Sequence, residues 1–374
     1  MDENKVAVLG GGAGAHGMAA DLTLRGFNVS LCDLPQFAAG LKRTMEIGEI
    51  ELTLAITGVA KINQITTNIE EAMKDAKTIF VVAQSKADAL FAEACASHVQ
   101  DGQIIAVIAG NCGSLVFVNT FKDKGVTKDV VVCDTASLPY GCRLKDPTRP
   151  GGPTHVRMMF LSPKFGIGVF PAKRTDEIAS YLKKYYPGRH PGTMAMTNVL
   201  EAGMSNPNPL VHCAPTLLNI GRIERVDDFA LFHEGFSDSV IKVVMAVGKE
   251  REKIFDAMGW RVAVRTADTV DAYQKTWFRG CIPQEGLEEA WRFKGPMQPV
   301  SVDRYITEDI PLGLVAWSSI GKLAGVETPT IDATIHFASV INGVDYRVEG
   351  RTAESLRIGH MSVAELNDYL YNGT

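Results

Sequence analysis

The chain has 374 residues, of which 46% are hydrophobic and 22% are charged. Because this length exceeds what one hydrophobic core usually covers, the sequence predicts two domains. The net charge is −5 and Lys and Arg form no block, which argues against nucleic acid or an acidic membrane surface as the main partner.

The N-terminal residues, the hydropathy and the cysteines together predict the cellular compartment. Only the letters MDENK precede the first apolar run, which leaves no room for a secretory signal. No uncharged stretch approaches the ~20 residues that a membrane-spanning helix needs. The seven cysteines are scattered without a C-x-x-C pair, as is typical of reduced intracellular thiols rather than zinc ligands or disulfides. The sequence predicts a cytoplasmic protein without a metal site.

Strand-like and helical patterns alternate in the first half of the chain. The apolar, strand-length runs cover 5–10, 28–33, 77–83, 103–110 and 129–136. The helical patterns between them cover 14–26, 36–47, 69–75, 86–99 and 113–124. Continuous apolar strands are typical of parallel sheets that are buried on both faces, and their alternation with helices predicts a doubly wound α/β domain.

Two further elements are predicted before the pattern changes. The runs 156–161 and 164–170 have the composition of a trailing β-hairpin. A charged helix is expected over 175–186, and Thr175 has the position and side chain of its N-cap.

A turn-rich break, PGRHPG at 187–192, marks the predicted domain boundary. We expect one domain over 1–188 and a second over 189–374. Long helical patterns dominate the second part, at 229–258 and 269–280. The expected architecture is therefore a parallel α/β domain followed by a mostly α-helical domain.

The segment VAVLGGGAGAHGMAADL places Gly10, Gly12 and Ala15 in G-x-G-x-x-A spacing between a strand and a helix. Gly10 allows a tight turn, Gly12 lets a diphosphate approach the backbone, and Ala15 permits close packing of helix on strand. The diphosphate would lie beside Ala13 and Gly14 at the helix N-terminus, where amides and the helix dipole favour an anion. A glycine-rich turn without a ligand is the alternative, but the flanking strand and helix favour a Rossmann dinucleotide site.

Asp33 ends the second strand, where a dinucleotide-binding domain carries the acceptor for a ribose 2′-hydroxyl. A carboxylate at this position repels a 2′-phosphate, so NAD is favoured over NADP. Arg25, Lys42 and Arg43 are close in sequence and keep NADP open as an alternative.

Polar residues follow the later strands, in loops that face the ligand crevice of such a sheet. Gln84 is assigned to the cofactor, and Asn111 and Ser137 are assigned to the substrate. Each could instead be an ordinary hydrogen-bonding loop residue. The segment DTASLPYGCR at 134–143 is expected to contribute to the amine pocket. Its residues Ala136, Ser137, Leu138 and Cys142 offer no carboxylate to a cationic side chain, which favours a neutral amino acid or another small amine.

In the second domain, His212 follows two Asn-Pro pairs in the segment NPNPLVHCAP. If a helix begins at Pro209, Asn208 is its N-cap, and the amide of Asn208 lies on the same face as the imidazole of His212. The spacing leaves a second interpretation open, in which Asn208 only caps the helix and His212 packs in the core.

The segment DRYITEDIPLGL supplies Arg304 and Asp309. Arg is suited to bidentate binding of a substrate carboxylate. Asp can orient a histidine and stabilise its protonated form. Spacing alone does not exclude the alternative that 307–309 are solvated loop residues.

Three segments of the second half, together with the glycine-rich turn, resemble the opine dehydrogenase family. They are SNPNPLVHCAPTLLNIGRIE, RYITEDIPLGLV and SSIGKLAGVETPTIDATI. The resemblance extends from about residue 4 to 370. The family includes octopine, nopaline and related N-(1-carboxyalkyl) amino acid dehydrogenases. The resemblance implies that His212 and Asp309 form a catalytic dyad, that Arg304 binds a substrate carboxylate and that Asn208 belongs to the same site.

The implied reaction is an NAD(P)-dependent reductive condensation of an α-keto acid, by family default pyruvate, with the amino group of an amino acid. It proceeds through an imine and a hydride transfer. One alternative is a simple carbonyl dehydrogenase of the ketopantoate or glycerol-3-phosphate type, which relies on a lysine. Another is a sensor that binds NAD without turnover. A homodimer stays open, because the C-terminal DYLYNGT can pack within the chain or across a dimer.

Overall fold

The computed structural model of the chain describes residues 1–144, 152–162, 165–186, 193–225, 229, 231–276 and 304–374. These residues form two compact units, Met1–Gly203 with Tyr371–Gly373, and Met204–Leu370 with Thr374. The predicted boundary between 188 and 189 lies outside the described residues, so the division into 1–188 and 189–374 stays a prediction.

An eight-stranded sheet forms the centre of the first unit. Its strands are β1 (Asp2–Leu9), β2 (Asn28–Cys32), β5 (Gln64–Thr66), β6 (Ala76–Val81), β7 (Ile104–Val107), β8 (Val131–Thr135), β11 (Phe165–Phe170) and β12 (Thr193–Ala195). They are ordered β12-β11-β8-β7-β6-β1-β2-β5. All neighbouring pairs are parallel except β8 with β11. The order reverses direction between β1 and β6, which is where such sheets bind ligands.

Helices and short 3₁₀ turns connect these strands. The helices are α1 (Ala13–Leu24), α2 (Lys42–Ile47), α3 (Ile69–Met73), α4 (Asp88–Ala96), α5 (Gly113–Asp123), α6 (Thr175–Leu182) and α7 (Val199–Met204). The 3₁₀ turns are Pro35–Gly40, Ser85–Ala87, Ala172–Arg174 and Lys183–Tyr185. The predicted α/β domain with a parallel Rossmann sheet is confirmed. The predicted helix over 36–47 is divided into a 3₁₀ turn and α2.

A second sheet, which the sequence did not reveal, covers helix α1. It consists of β3 (Glu49–Leu54), β4 (Gly58–Lys61), β9 (Tyr140–Leu144) and β10 (Thr154–Leu161), in the order β4-β3-β10-β9. Helix α1 packs against all four of these strands and also against β1 and β2. Its residues from Ala15 to Leu22 are buried on every side, as expected of a helix enclosed between two sheets.

The predicted hairpin of 156–161 with 164–170 is wrong. Strand β10 pairs with β3 and β9 in the second sheet, whereas β11 pairs with β8 in the first. The apolar pattern marked both strands correctly. It could not identify their partners, because strand pairing depends on contacts between distant parts of the chain.

Two predicted helix starts also differ in the structure. Thr175 is the first residue of α6, and the N-cap position is taken by Arg174 at the end of a 3₁₀ turn. The 3₁₀ turn continues directly into the α-helix, so Thr175 is buried rather than free to cap it. The predicted helix over 229–258 is interrupted at Gly235, and Ser237 begins a new helix by accepting a hydrogen bond from the Val240 amide.

The second unit is mostly helical, as predicted. Its helices are α8 (Pro207–Leu218), α9 (Ile220–Ile223), α10 (Leu231–Glu234), α11 (Asp238–Met258), α12 (Thr266–Thr276), α13 (Arg304–Thr307), α14 (Val315–Leu323), α15 (Pro329–Asn342), α16 (Tyr346–Glu349) and α17 (Val363–Asn372). A π-helical turn, Ile310–Leu314, joins α13 to α14. Residues 277–280 of the predicted helix 269–280 lie outside the described residues. Of the helices in the described ranges, none has the length and apolar character to cross a bilayer.

Candidate active site

The glycine-rich turn follows β1 and opens α1. Gly10 has a φ of +132°, and a Cβ there would lie 2.3 Å from the carbonyl oxygen of Val82, so only glycine is tolerated. Gly12 is the N-cap of α1, and in the described part of the chain nothing lies within 4 Å of the position that its Cβ would take. Ala15 is fully buried behind the turn. The turn is therefore closed on the Gly10 side and open on the Gly12 side, as the approach of a diphosphate requires.

Asp33 lies beside this turn at the end of β2. It is buried, its Oδ1 accepts a 2.8 Å hydrogen bond from the Leu34 amide, and its Oδ2 lies only 2.5 Å from the position that a Cβ on Gly11 would take. Burial raises the pKa of Asp33 to about 6. A carboxylate acceptor next to an open glycine cradle fits the ribose and diphosphate of a dinucleotide.

Two cations that could have favoured a 2′-phosphate have partners elsewhere in the first unit. Arg25 forms an ion pair with Asp21 at 3.2 Å and donates to the Tyr185 carbonyl. Arg43 donates from Nε and Nη2 to the Gly152 carbonyl at 3.0 and 2.7 Å. Their engagement strengthens the assignment of NAD.

The loop after β7 carries the predicted residue Asn111 in a strained conformation. Asn111 has a φ of 49°, and Ala109 and Cys112 have φ values of 52° and 68°, which side chains rarely adopt. The Asn111 amide donates to the Ser85 hydroxyl at 3.3 Å, and this bond connects the loop after β7 to the 3₁₀ turn after β6. Strain of this kind concentrates at ligand sites, which favours a substrate role for this loop.

Two residues at the end of β8 hold the loop in place, and sequence reasoning missed both. The Thr135 hydroxyl accepts from the Ala109 amide at 2.9 Å, and an Asp134 carboxylate oxygen accepts from the Ser114 amide at 3.2 Å. Both side chains are fully buried. Their hydrogen bonds hold Ala109, the first residue of the strained segment, and Ser114, in the first turn of the helix that follows it.

The backbone carbonyls of Gln84 and Ser137, the other predicted loop residues of the first unit, accept local hydrogen bonds. Gln84 is exposed and precedes a 3₁₀ turn, its carbonyl accepting from the Ala87 amide at 2.8 Å. Ser137 is half-buried, and its carbonyl accepts from the Thr135 hydroxyl at 3.1 Å. Cys142 packs against α1, with its Sγ 3.6 Å from the position of a Cβ on Gly17. It therefore belongs to the core rather than to an amine pocket.

In the second unit, α8 carries His212 and begins earlier than predicted. Its N-cap is Asn206, whose Oδ1 accepts from the Asn208 amide at 3.0 Å, and Pro207 is the first helical residue. Each Asn-Pro pair can begin a helix, and the first pair does so. Asn208 is therefore not the cap. It lies inside the helix, four residues before His212 and on the same face.

His212 and Asp309 are brought together although they are 97 residues apart in sequence, with Nδ1 of the imidazole 2.7 Å from Oδ2 of the carboxylate. Both side chains are buried, at 10% and 8% exposure. Asp309 stands directly before the π-helical turn, and a Cβ on Gly313 of that turn would lie 2.4 Å from Cγ of Pro209. Gly313 thus lets the turn pack onto the start of α8, which aligns the acid with the imidazole.

Aromatic side chains enclose the imidazole. The ring of Tyr305 stacks on His212 with centroids 3.7 Å apart and planes 17° apart. Phe232 contacts His212 edge-on at 5.8 Å and stacks on Phe236. Because Nδ1 is engaged by Asp309, Nε2 is the nitrogen suited to exchange a proton with a substrate.

Arg304 pairs with Glu308 one helical turn later, with Nε and Nη2 at 3.0 and 2.9 Å from Oε2. The Arg304 side chain is 60% exposed, whereas Glu308 is buried. The interpretation of 307–309 as solvated loop residues is therefore wrong for Glu308 and Asp309. Glu308 was missed, although its spacing of four residues from Arg304 was a usable signal.

Neither metal nor thiol chemistry has support in the described residues. Within the ranges that the structure describes, no three His, Cys, Asp or Glu side chains come together in an arrangement that could hold a metal ion. Cys32 and Cys142 are buried, and burial raises the pKa of each thiol to about 12. These thiols are protonated at neutral pH and are poor nucleophiles.

Comparison with known proteins covers both units. Residues 195–342 match the family model for the NAD/NADP octopine/nopaline dehydrogenase alpha-helical domain. The chain is 30% identical to an opine dehydrogenase of Arthrobacter sp. (strain 1C), over 97% of this chain and 98% of that one. It is 24% identical to an octopine dehydrogenase of Pecten maximus, over 92% of each chain. A solved structure of octopine dehydrogenase in complex with NADH and agmatine is similar at a TM-score of 0.71 and 21% identity, over 99% of this chain and 98% of that one, which shows a shared fold.

Proposed function

The chain belongs to the opine dehydrogenase family, and we propose that it joins an α-keto acid to the amino group of an amino acid by NADH-dependent reduction. It is an NAD-dependent opine dehydrogenase, acting on a CH–NH bond. The observation that carries this proposal is the 2.7 Å contact between His212 and Asp309, which supplies an oriented acid–base group. Pyruvate is the keto acid that we propose, following the family default.

The residues of the glycine-rich turn fit the cofactor. We propose that the amides from Gly12 to Ala15 hold the diphosphate and that Asp33 accepts from the ribose 2′-hydroxyl. Gly10 contributes the tight turn, and we assign Gln84 to the same site. When bound, NADH supplies the hydride that reduces the imine carbon.

His212 performs the proton transfers of the condensation. The amine must be neutral to attack the keto carbon, so His212 accepts its proton at Nε2. The resulting carbinolamine loses water when the imidazolium returns that proton to the departing hydroxyl group, which leaves a protonated imine. Asp309 keeps Nδ1 protonated and oriented, and it stabilises the imidazolium between these two steps.

We assign Arg304 to the keto-acid carboxylate. Its side chain is largely exposed, and its hydrogen bonds to Glu308 use Nε and Nη2, so we assign the donors of Nη1 to the substrate carboxylate. Asn208, on the same face of α8 as His212, offers a neutral amide to the substrate. Asn111 and Ser137 are assigned to the substrate from the first unit, where the strained loop after β7 supports the first of them.

The two alternative functions receive less support. A simple carbonyl dehydrogenase of the ketopantoate or glycerol-3-phosphate type would rely on a lysine, whereas the group oriented in the second unit is a histidine held by an aspartate. An NAD-binding sensor would need neither His212 nor Asp309.

NADH oxidation measured with pyruvate alone, and then with pyruvate and a panel of amino acids, tests this function. Amine-dependent oxidation with formation of a secondary amine is the expected result. Equal rates without amine would instead indicate a carbonyl dehydrogenase, and NADH binding without oxidation under either condition would indicate a sensor. Arginine belongs in the panel beside neutral amino acids, because residues 136–138 offer no carboxylate to a cationic side chain.

Two further predictions belong to this proposal. We propose that the enzyme acts in the cytoplasm, a location supported by its buried thiols such as Cys95 and Cys133. We propose a homodimer as its assembly, supported by exposed apolar side chains of α15 such as Phe337 and Val340, at 61% and 65% exposure. Sedimentation at several protein concentrations tests the dimer, and a single species of monomer mass would refute it.

A further inference from the structure

Among the described residues, Tyr305 makes the closest ring contact with the imidazole of His212. It lies on α13, one residue after Arg304 and four residues before Asp309. Its ring covers one face of the imidazole at 3.7 Å and 17°. Its carbonyl accepts a 3.5 Å hydrogen bond from the Cys213 thiol, so the backbone of Tyr305 is tied to the neighbour of His212.

The hydrogen bond from Nδ1 to Asp309 orients the imidazole, but the His212 side-chain torsions still vary within their wells, and χ2 of histidine has a broad one. Such a torsional change tilts the ring and moves Nε2 relative to its substrate. A flat ring stacked on one face resists this rotation. Displacements of about 1 Å at a catalytic group can cost on the order of 10²-fold in rate, so control of the ring plane has chemical consequences.

We propose that Tyr305 is a positioning residue of this enzyme, whose ring face holds the imidazole of His212 in the plane in which Nε2 meets the substrate. The inference rests on the proposed function, because it assigns Tyr305 a role in the same proton transfers. The working part of the side chain is the ring and not the hydroxyl group, because the stacked geometry involves the ring faces.

Three variants test the role of the ring. Tyr305→Phe retains the ring and is expected to keep kcat within about twofold. Tyr305→Leu removes it and is expected to lower kcat by roughly 3–10-fold, since aromatic pairs contribute about 0.5–1.5 kcal/mol beyond their burial. Phe236→Leu is the matched control, because it removes an aromatic ring that stacks on Phe232 rather than on His212. NADH affinity, measured by fluorescence titration, should be unchanged in all three.

A double-mutant cycle separates positioning from general packing. In a His212→Ala background, Tyr305→Leu should produce no further loss of the residual rate, because there is no imidazole left to hold. An equal loss in both backgrounds would overturn the proposal, as would a Tyr305→Phe variant as impaired as Tyr305→Leu, since the hydroxyl group would then be the working part.

A spectroscopic test requires no turnover. In protein labelled at histidine Cε1, the His212 resonance is identified by its absence from His212→Ala. Stacking on Tyr305 should shift the attached proton upfield through the ring current, and the shift should persist in Tyr305→Phe and disappear in Tyr305→Leu. An unchanged His212 signal in Tyr305→Leu would contradict the stacked geometry. This result is independent of the amino acid panel, so failure of the inference and failure of the proposed function can be told apart.

Discussion

In the first unit, Gly10, Gly12 and Ala15 lie within one turn of chain, whereas His212 and Asp309 of the second unit are 97 residues apart. The cofactor turn requires residues without a side chain, because a Cβ on Gly10 would collide with the Val82 carbonyl. The dyad depends on side chains that helix packing brings together. The residues of the cofactor turn are consecutive in sequence, whereas the residues of the dyad are brought together by tertiary contacts.

The comparison predicts that the two sites can be damaged separately. A change in the glycine-rich turn should act on NADH affinity, because backbone amides bind the diphosphate. A change around the dyad should act on turnover, because proton transfer is performed by side chains. A variant in either site that alters NADH affinity and kcat equally would weaken the comparison.

Replacement of the imidazole is expected to have the largest effect. His212→Ala should lower kcat by on the order of 10²–10⁴, the usual contribution of general acid–base catalysis, with NADH affinity nearly unchanged. Steady-state kinetics and fluorescence titration measure the two quantities. His336→Ala, at an exposed position of α15, is the matched control and should match the wild type. Near-normal turnover in His212→Ala would remove the imidazole from the mechanism.

Substitution in the turn should affect NADH instead. Gly10→Ala places a Cβ 2.3 Å from a carbonyl oxygen at a φ of +132°, and we expect NADH affinity to fall roughly 10–100-fold together with the free energy of unfolding. Gly12→Ala faces open space, so it should weaken NADH binding while thermal unfolding stays at the wild-type temperature. Equal thermal destabilisation in both variants would show that the Gly12 side is not open.

Exchange of the carboxylate anchor should act mainly on KM. Arg304→Lys keeps the charge but loses the planar fork, so we expect KM for the keto acid to rise about tenfold with a smaller change in kcat. Arg222→Lys provides the control, since Arg222 pairs with Glu234 at 2.8 Å elsewhere in the second unit. An unchanged keto-acid KM in Arg304→Lys would mean that another group binds the carboxylate.

A change in the π-helical turn that positions Asp309 should have a moderate effect. Gly313→Ala introduces a Cβ 2.4 Å from Pro209, which we expect to lower the free energy of unfolding by roughly 1–3 kcal/mol and kcat several-fold. Chemical denaturation and kinetics measure these changes. Gly221→Ala adds the same methyl group at a position where no described residue lies within 4 Å, and it should lower neither quantity. Wild-type kcat in a destabilised Gly313→Ala variant would show that the packing of this turn on α8 does not affect catalysis.

The smallest effect concerns cofactor choice. Asp33→Ser should reduce the preference for NADH over NADPH several-fold at pH well above 6, where the carboxylate is ionised and repels a 2′-phosphate. Burial raises the pKa of Asp33 to about 6, so the wild-type preference should itself diminish as the pH falls through this value and the charge is lost. The ratio of kcat/KM for the two cofactors across pH measures both trends. A ratio that is independent of pH and of the substitution would contradict the role of Asp33.

Prediction from sequence succeeded where a pattern is local. The parallel strands and the turn at Gly10 and Gly12 follow from adjacent residues, and the structure confirms their geometry. The pattern failed where partners are distant, as in the supposed hairpin whose strands enter two different sheets. Near His212, the repeated Asn-Pro pairs offered two equivalent helix starts, and nothing local distinguished them.

The sequence by itself determined the α/β domain, the glycine-rich turn and the identity of His212, Arg304 and Asp309 as candidates. Residue type made each of them a candidate, and the resemblance to the opine dehydrogenase family assigned their roles. Only the tertiary structure decided that Nδ1 of His212 lies 2.7 Å from Asp309, that Tyr305 stacks on the ring and that Glu308 is buried against Arg304. These contacts join separate helices or depend on burial, and a linear pattern carries no information about the distance between its remote parts.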